Sequence, residues 1–154
     1  MKKDDVVVGF ETSIGPWLGK TVKVLECHLN DAFKAHNLDL TKEQMIVLKR
    51  LHDNDGFSQN ELAFLTLRDK SSLTRLLKKM EQKGYIYRKQ CRDDKRINKV
   101  FLAAQGRLIF QASKPIFSAM IQQMEQNISQ SEKKQIIETL KKIQSNFSSK
   151  IESI

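Results

Sequence analysis

The spacing of hydrophobic residues predicts helices over most of the chain. Between residues 17 and 35, apolar side chains recur at alternating steps of four and three residues, which places them on one face of a helix. These residues are Leu18, Val22, Leu25, Leu29 and Ala32. A long first helix is therefore expected.

Three shorter helices are expected next, because each has an N-terminal capping signal. Thr41 with Gln44 and Ser58 with Glu61 form capping boxes, and Asp69 is a good N-cap. The third of these helices has apolar residues at positions i, i+3, i+4 and i+7, the spacing of a buried face. They are Leu73, Leu76, Leu77 and Met80.

The pattern then changes to two short strands and returns to helix. Tyr85 to Tyr87 and Ile97 to Leu102 are aromatic and β-branched runs, and the charged segment 90–96 between them predicts a hairpin loop. A long helix is expected after Gly106, with a kink or break at Pro115, and a last helix from Ser131. The predicted fold is mostly α with a small β-hairpin wing.

Composition narrows the class of protein. The 154 residues include only 6 Gly and 2 Pro, which argues against a turn-rich sandwich or barrel. No apolar run approaches the roughly 20 residues that span a bilayer, and no secretory signal is expected. Two cysteines, Cys27 and Cys91, do not make a disulfide framework and suit a reducing compartment. We therefore expect a cytoplasmic protein without membrane contact.

Charge is concentrated in one region. The chain has a net charge of +9, and residues 68–99 contain 12 Lys or Arg and 4 Asp or Glu, a net charge of +8. Such a local basic patch is typical of a surface that binds a polyanion. The alternative is a solvated helix face, but the local concentration of the charge disfavours it.

Two short capped helices followed by a hairpin are typical of a winged helix-turn-helix. The candidate recognition helix is Asp69–Lys83, on which Ser71, Arg75, Lys78 and Gln82 form one stripe opposite the leucines. An α-helix fits the major groove of B-DNA, and an Arg-rich loop suits the narrow minor groove. Taken alone, the helix is better explained as an ordinary amphipathic surface helix, but the Arg-rich hairpin after it favours DNA binding.

The run from Asp69 to Arg88, with Asp94-Lys95-Arg96 after it, resembles the recognition helix and wing of the MarR family of bacterial transcription regulators. Residues 40–44 and 58–63 are also similar to the family. Residues 102–106 depart from it, because Ala103 stands where the family usually has Thr, and the N-cap hydroxyl of the next helix is lost.

The resemblance implies a homodimer that binds double-stranded DNA at a palindromic operator. Residues 1–36 and 104–154 would form a helical dimerisation domain, and 37–103 the winged helix-turn-helix. Arg96 would enter the minor groove, oriented by a salt bridge from Asp94, and Lys78 and Lys79 would contact phosphates. The full set of expected DNA-binding residues is Ser71, Ser72, Thr74, Arg75, Lys78, Lys79, Arg92, Asp94 and Arg96.

A small aromatic or lipophilic effector is also implied. Trp17, His36, Met45 and Phe57 are candidates for its pocket, although for any one of them a role as a core or hinge residue is favoured. Cys27 is expected to be a buried structural thiol. Oxidation of Cys91 in the wing, next to Arg92, is a second hypothesis for regulation.

No metal, cofactor or catalytic function is expected, since the three His are scattered and no nucleophile or phosphate-loop motif is present. The expected function is a repressor that an effector releases from its operator. The alternatives are an activator or anti-silencer with the same DNA contacts, and an architectural protein that binds DNA without sequence preference.

Overall fold

The computed structural model describes residues 9–147, which form α-helices and one small antiparallel sheet. The helices are α1 (Ile14–Ala35), α2 (Lys42–Asp53), α3 (Gln59–Leu65), α4 (Lys70–Gln82), α5 (Ala104–Met124) and α6 (Gln130–Ser145). The strands are β1 (Phe57–Ser58), β2 (Ile86–Gln90) and β3 (Asn98–Leu102). The predicted fold class, a mostly helical winged helix-turn-helix, is confirmed.

The predicted caps are present where the central helices begin. The Thr41 hydroxyl accepts from the Gln44 amide at 3.3 Å, and the Gln44 side chain accepts from the Thr41 amide at 3.2 Å. Ser58 and Glu61 make the same reciprocal pair. The Asp69 carboxylate accepts from the Ser72 amide at 2.8 Å and so fixes the start of α4.

Several details of the helices differ from the sequence prediction: α1 begins at Ile14, before residue 17, and α5 begins at Ala104, before Gly106. Pro115 does not divide α5, which is continuous to Met124. Pro115 is exposed, so water can satisfy the carbonyl that loses its hydrogen-bond partner. Helix α6 begins one residue before the predicted Ser131, at Gln130, and is capped by Ser129. As expected, Ala103 provides no side-chain cap for α5.

The predicted hairpin is present as β2 paired with β3, and β1 adds a third strand to the wing sheet that the sequence did not predict. β3 lies in the middle, with β2 on one side and β1 on the other. In β1, Phe57 pairs with Val100 and Ser58 with Lys99. A strand of two residues is too short to show an alternating pattern, so β1 could not be predicted from the sequence.

The core lies between the sheet and the central helices. Leu48 of α2, Leu62 of α3, Leu77 of α4 and Val100 of β3 have no solvent exposure. The predicted apolar face of α4 is buried at Leu73, Leu77 and Met80 and half-buried at Leu76. Because this face points inward, the opposite, polar face of α4 must point to solvent.

Tyr85 holds both segments that connect the central lobe, residues 37–103, to the terminal helices. Its carbonyl accepts from the Ala103 amide at 3.0 Å, at the start of α5. Its hydroxyl donates to the Asp39 carbonyl at 2.6 Å, in the link between α1 and α2. Gly106 packs so tightly against the Tyr85 carbonyl that a Cβ atom there would overlap it.

None of the helices within residues 9–147 is long and apolar enough to cross a membrane.

We expect Gly106→Ala to destabilise the protein, because the added methyl group must displace the backbone of Tyr85. Overpacking of this kind costs about 1–3 kcal/mol in the free energy of unfolding. Urea denaturation followed by circular dichroism measures the change.

The matched control is Gly19→Ala, the same substitution in α1 at a position where a Cβ atom has nothing within 4 Å. This control should equal or exceed the wild type in stability, since Ala favours helix over Gly by about 0.5–1 kcal/mol. Equal stability of Gly106→Ala and the wild type would contradict the tight contact.

Candidate nucleic-acid interface

The outer face of α4 is polar and mostly basic. Its leucines anchor the inner face, and the side chains on the other side are exposed. The exposed residues are Lys70, Ser71, Thr74, Arg75, Lys78, Lys79, Glu81 and Gln82. All the α4 residues that the sequence selected for DNA contact are therefore accessible, apart from the half-buried Ser72.

Ser72 is held by a residue that the sequence analysis did not select. The Arg68 guanidinium donates to the Ser72 hydroxyl oxygen at 2.8 Å and 3.2 Å. Both residues line a groove of about 400 Å³ along α4, together with Arg75, Leu76, Lys78, Lys79 and Gln82. We call this the cationic groove. It offers several guanidinium and ammonium donors to one anionic ligand.

A second cleft lies between α4 and the wing. Lys70 and Thr74 of α4 and Arg96 of the wing line it, with a volume of about 190 Å³. Its other walls are Ser58, Gln59, Asn60, Leu73, Ile97 and Asn98. We call this the wing cleft. It brings the basic wing tip and the start of the candidate recognition helix to one side of the molecule.

The wing loop is shaped by backbone hydrogen bonds and by Asp94. The Cys91 amide donates to the Ile97 carbonyl at 2.8 Å, which closes the loop. The Asp94 carboxylate accepts from the backbone amide of Arg96 at 3.0 Å. The expected Asp94–Arg96 salt bridge is wrong, because the described ion pairs do not include one between these side chains. An Asp two residues before an amide favours this turn, and it leaves the Arg96 side chain exposed, like that of Arg92.

Three of the four acidic residues of the basic region have structural partners of their own. Asp69 caps α4, Asp94 shapes the wing loop, and Glu81 pairs with Arg88. The hydrogen bond from Arg88 lowers the pKa of Glu81, and the same bond raises the pKa of Arg88. Within residues 9–147, no ion pair joins Arg75, Lys78 or Arg96 to a carboxylate. These cations are therefore available to an external anion.

The four residues expected to line an effector pocket do not meet, so that prediction is wrong. Trp17 is exposed, with its indole donating to the Glu11 carbonyl at 2.8 Å. His36 lies in a groove between α1 and α5, and Phe57 packs against the core from β1. Only Met45 reaches the largest groove described here, about 610 Å³ between α2 and α5.

The exposure of one cysteine, Cys27, also differs from expectation. Cys27 is exposed and not buried, because it lies between Leu25 and Leu29 in sequence and projects away from their shared face. Cys91 is partly exposed in the wing. Within the described residues, no three His, Cys, Asp or Glu side chains come close enough to hold a metal ion.

Sequence reasoning missed the amide side chains of the wing cleft. Gln59 and Asn60 begin α3, and Asn98 begins β3 nearly forty residues later in the chain. No local pattern connects them, since the sheet pairing of β1 with β3 brings them together. The charge of Arg68 was visible in the sequence, but its contact with Ser72 was not.

Known proteins share this arrangement. The MarR family model matches residues 40–97. The HTH-type regulator YybA of Bacillus subtilis, uncharacterised in function, is 31% identical over 93 residues, which cover 60% of this chain and 61% of YybA. The chain therefore spans less than two thirds of that relative. The transcriptional regulator HosA of Escherichia coli O157:H7 is 30% identical over 105 residues, or 68% of this chain and 78% of HosA.

The fold also matches solved structures. The S. aureus MepR–DNA complex superposes with a TM-score of 0.81 at 25% identity, covering 88% of this chain and 98% of MepR. YybA and HosA are named as transcriptional regulators and not as enzymes, in agreement with the sequence prediction. With its winged helix-turn-helix and these relatives, the chain belongs to the MarR family.

Proposed function

We propose that this protein is a transcriptional regulator that binds a palindromic DNA operator as a homodimer. In this proposal, α4 enters the major groove and the wing tip enters the adjacent minor groove. Arg75, Ser71 and Thr74 contact base edges, and Lys78 and Lys79 contact phosphates. Ser72 contributes through its contact with Arg68 and not as a free hydroxyl.

The observation that carries the proposal is the wing cleft. Lys70 and Thr74 on α4 face the same cleft as Arg96 on the wing, although the two elements are far apart in sequence. A DNA backbone that runs between a major and a minor groove needs such a pair of flanking contacts. The net charge of +8 in residues 68–99 supplies the electrostatic attraction.

The terminal helices support the homodimer. Helix α6 has no buried residue, although it carries a row of apolar side chains. Large apolar residues on α1, α5 and α6 are exposed: Ile14, Trp17, Val22, Val24, Leu108, Met124, Ile136 and Ile137. Packing across a two-fold axis would bury such a surface and would place two copies of α4 on one face of DNA. Residues 1–36 and 104–154 would then be the dimerisation domain, and 37–103 the DNA-binding lobe.

We further propose that the protein is a repressor and that a small effector releases it. The groove between α2 and α5 joins the lobe to a terminal helix, so an occupant there would favour one lobe orientation over another. Phe110 and Phe117 give it apolar walls, and Arg50 and Lys114 give it positive charge, whereas Lys49 is ion-paired with Asp53 at its edge. An aromatic or lipophilic anion suits this lining.

Selection of bound genomic fragments, followed by competition with random duplex, tests the function. A specific regulator should prefer its operator by roughly 10³-fold or more. A ratio near one would instead support an architectural DNA-binding protein. Transcription from the selected promoter, measured with and without the protein, separates a repressor from an activator or anti-silencer.

We expect Arg96→Ala to weaken operator binding while the dimer stays folded, because the exposed side chain has no described carboxylate partner in the fold. The expected loss is about 1–3 kcal/mol of binding free energy. Fluorescence anisotropy measures it. The control Lys141→Ala removes one positive charge from exposed α6 and should change affinity far less. Equal losses for both variants would exclude a specific role for Arg96.

We expect Lys79→Ala to weaken binding to all sequences about equally and to reduce the slope of log affinity against log salt by about one. A lysine that contacts phosphate contributes counterion release but no base preference. Salt titrations on operator and random duplex measure both slopes. A change of base preference at one operator position would show that Lys79 reads bases.

A further inference from the structure

Arg88 of β2 contacts two other elements of the DNA-binding lobe, α4 and α3, at once. From β2, its Nε and Nη2 atoms donate to the two carboxylate oxygens of Glu81 in the last turn of α4, at 2.9 Å and 3.2 Å. Its Nη1 atom lies 3.5 Å from the side-chain oxygen of Gln59, the first residue of α3. One guanidinium therefore connects the wing to both helices of the helix-turn-helix.

Arg88 lies at the point where β2 leaves the helices and extends towards the wing tip. Ile86 at the start of the strand is buried, whereas Tyr87, Lys89 and Gln90 are exposed. Arg88 is half-buried and is the last β2 side chain before the wing tip that is covered by the helices. The strand beyond it leads directly into the loop that carries Arg96.

The geometry of the pair is suited to fixing an orientation. A two-pronged contact between a guanidinium and a carboxylate restrains rotation as well as distance, which a lysine in the same place would not do. The Arg88 side chain is 25% exposed and that of Glu81 is 40% exposed. A partly screened pair of this kind contributes little to overall stability, so its value lies in orientation.

We propose that Glu81 and Arg88 are positioning residues that set the angle of the wing relative to α4. They determine whether Arg96 reaches the minor groove while α4 occupies the major groove. This inference rests on the proposed DNA-binding function. It adds an acidic residue to the residues that specific DNA binding requires. It makes Glu81 necessary for specific binding although its charge repels DNA.

The sign of the Glu81→Gln effect separates positioning from simple electrostatics. The substitution is nearly isosteric and removes a negative charge from the DNA-binding face. If charge alone mattered, the variant would bind both operator and random duplex more tightly. If Glu81 positions the wing, random duplex is bound more tightly but the operator is not, and the ratio of the two affinities falls.

The experiment measures that ratio for the full-length wild type, Glu81→Gln and Arg88→Lys at one salt concentration. We expect the ratio to fall about threefold or more in both variants, since groups in one hydrogen-bonded network are energetically coupled. The matched control is Glu138→Gln, the same substitution at an exposed position of α6, for which the ratio should not change. Thermal unfolding midpoints near that of the wild type confirm that each variant is folded.

A double-mutant cycle adds a readout that a purely structural role would not move. Arg96→Ala should weaken operator binding less in the Arg88→Lys background than in the wild type, because a misplaced wing has already lost part of the Arg96 contact. Additive effects of the two substitutions would overturn the proposal.

The remaining outcomes are also decisive. A Glu81→Gln variant with an unchanged or higher operator ratio overturns the positioning role and leaves the proposed function intact. A wild-type protein without preference for any selected fragment overturns the proposed function, and the positioning role with it.

Discussion

The anchoring of both lobe connections on Tyr85 is the constraint on which the rest of the structure depends. The Tyr85 carbonyl holds the start of α5, and its hydroxyl holds the link between α1 and α2. Burial and the nearby Asp39 raise the pKa of its phenol, which keeps the donating proton in place. Helices α1 and α5 leave the lobe at these points. A change in lobe orientation would therefore strain the hydrogen bonds of Tyr85 and its tight contact with Gly106.

In the lobe held in this way, α4 has one buried apolar face and one exposed, mostly basic face. Its buried leucines remove apolar area from water and determine which side of the helix faces outward. The outward side gathers like charges, whose mutual repulsion is tolerated because each is solvated. Three of the four acids of the region, Asp69, Glu81 and Asp94, shape the backbone or pair within the fold. The positive potential of the face is therefore largely unneutralised until a polyanion binds.

Local signals in the sequence were sufficient for the helices and for the basic residues that the structure exposes on α4 and on the wing. Capping boxes at Thr41 and Ser58 act within four residues, so their hydrogen bonds are encoded where they form. The basic region and the wing motif were likewise contiguous. Contacts between distant segments were beyond such signals: the strand β1, the bond from Arg68 to Ser72, and the meeting of Asn60 with Asn98 in the wing cleft.

The effector candidates show most clearly the difference between what local sequence signals predict and what packing decides. Trp17, His36, Met45 and Phe57 were chosen by residue type, but their distribution over separate faces depends on how α1, α2 and β1 pack. The sequence by itself determined the helix periods, the caps, the basic surface and the family resemblance, since each depends on residues close together in the chain. Only the tertiary structure decided which side chains share a groove and that Asp94 bonds a backbone amide, because packing and hydrogen-bond geometry depend on three-dimensional distance.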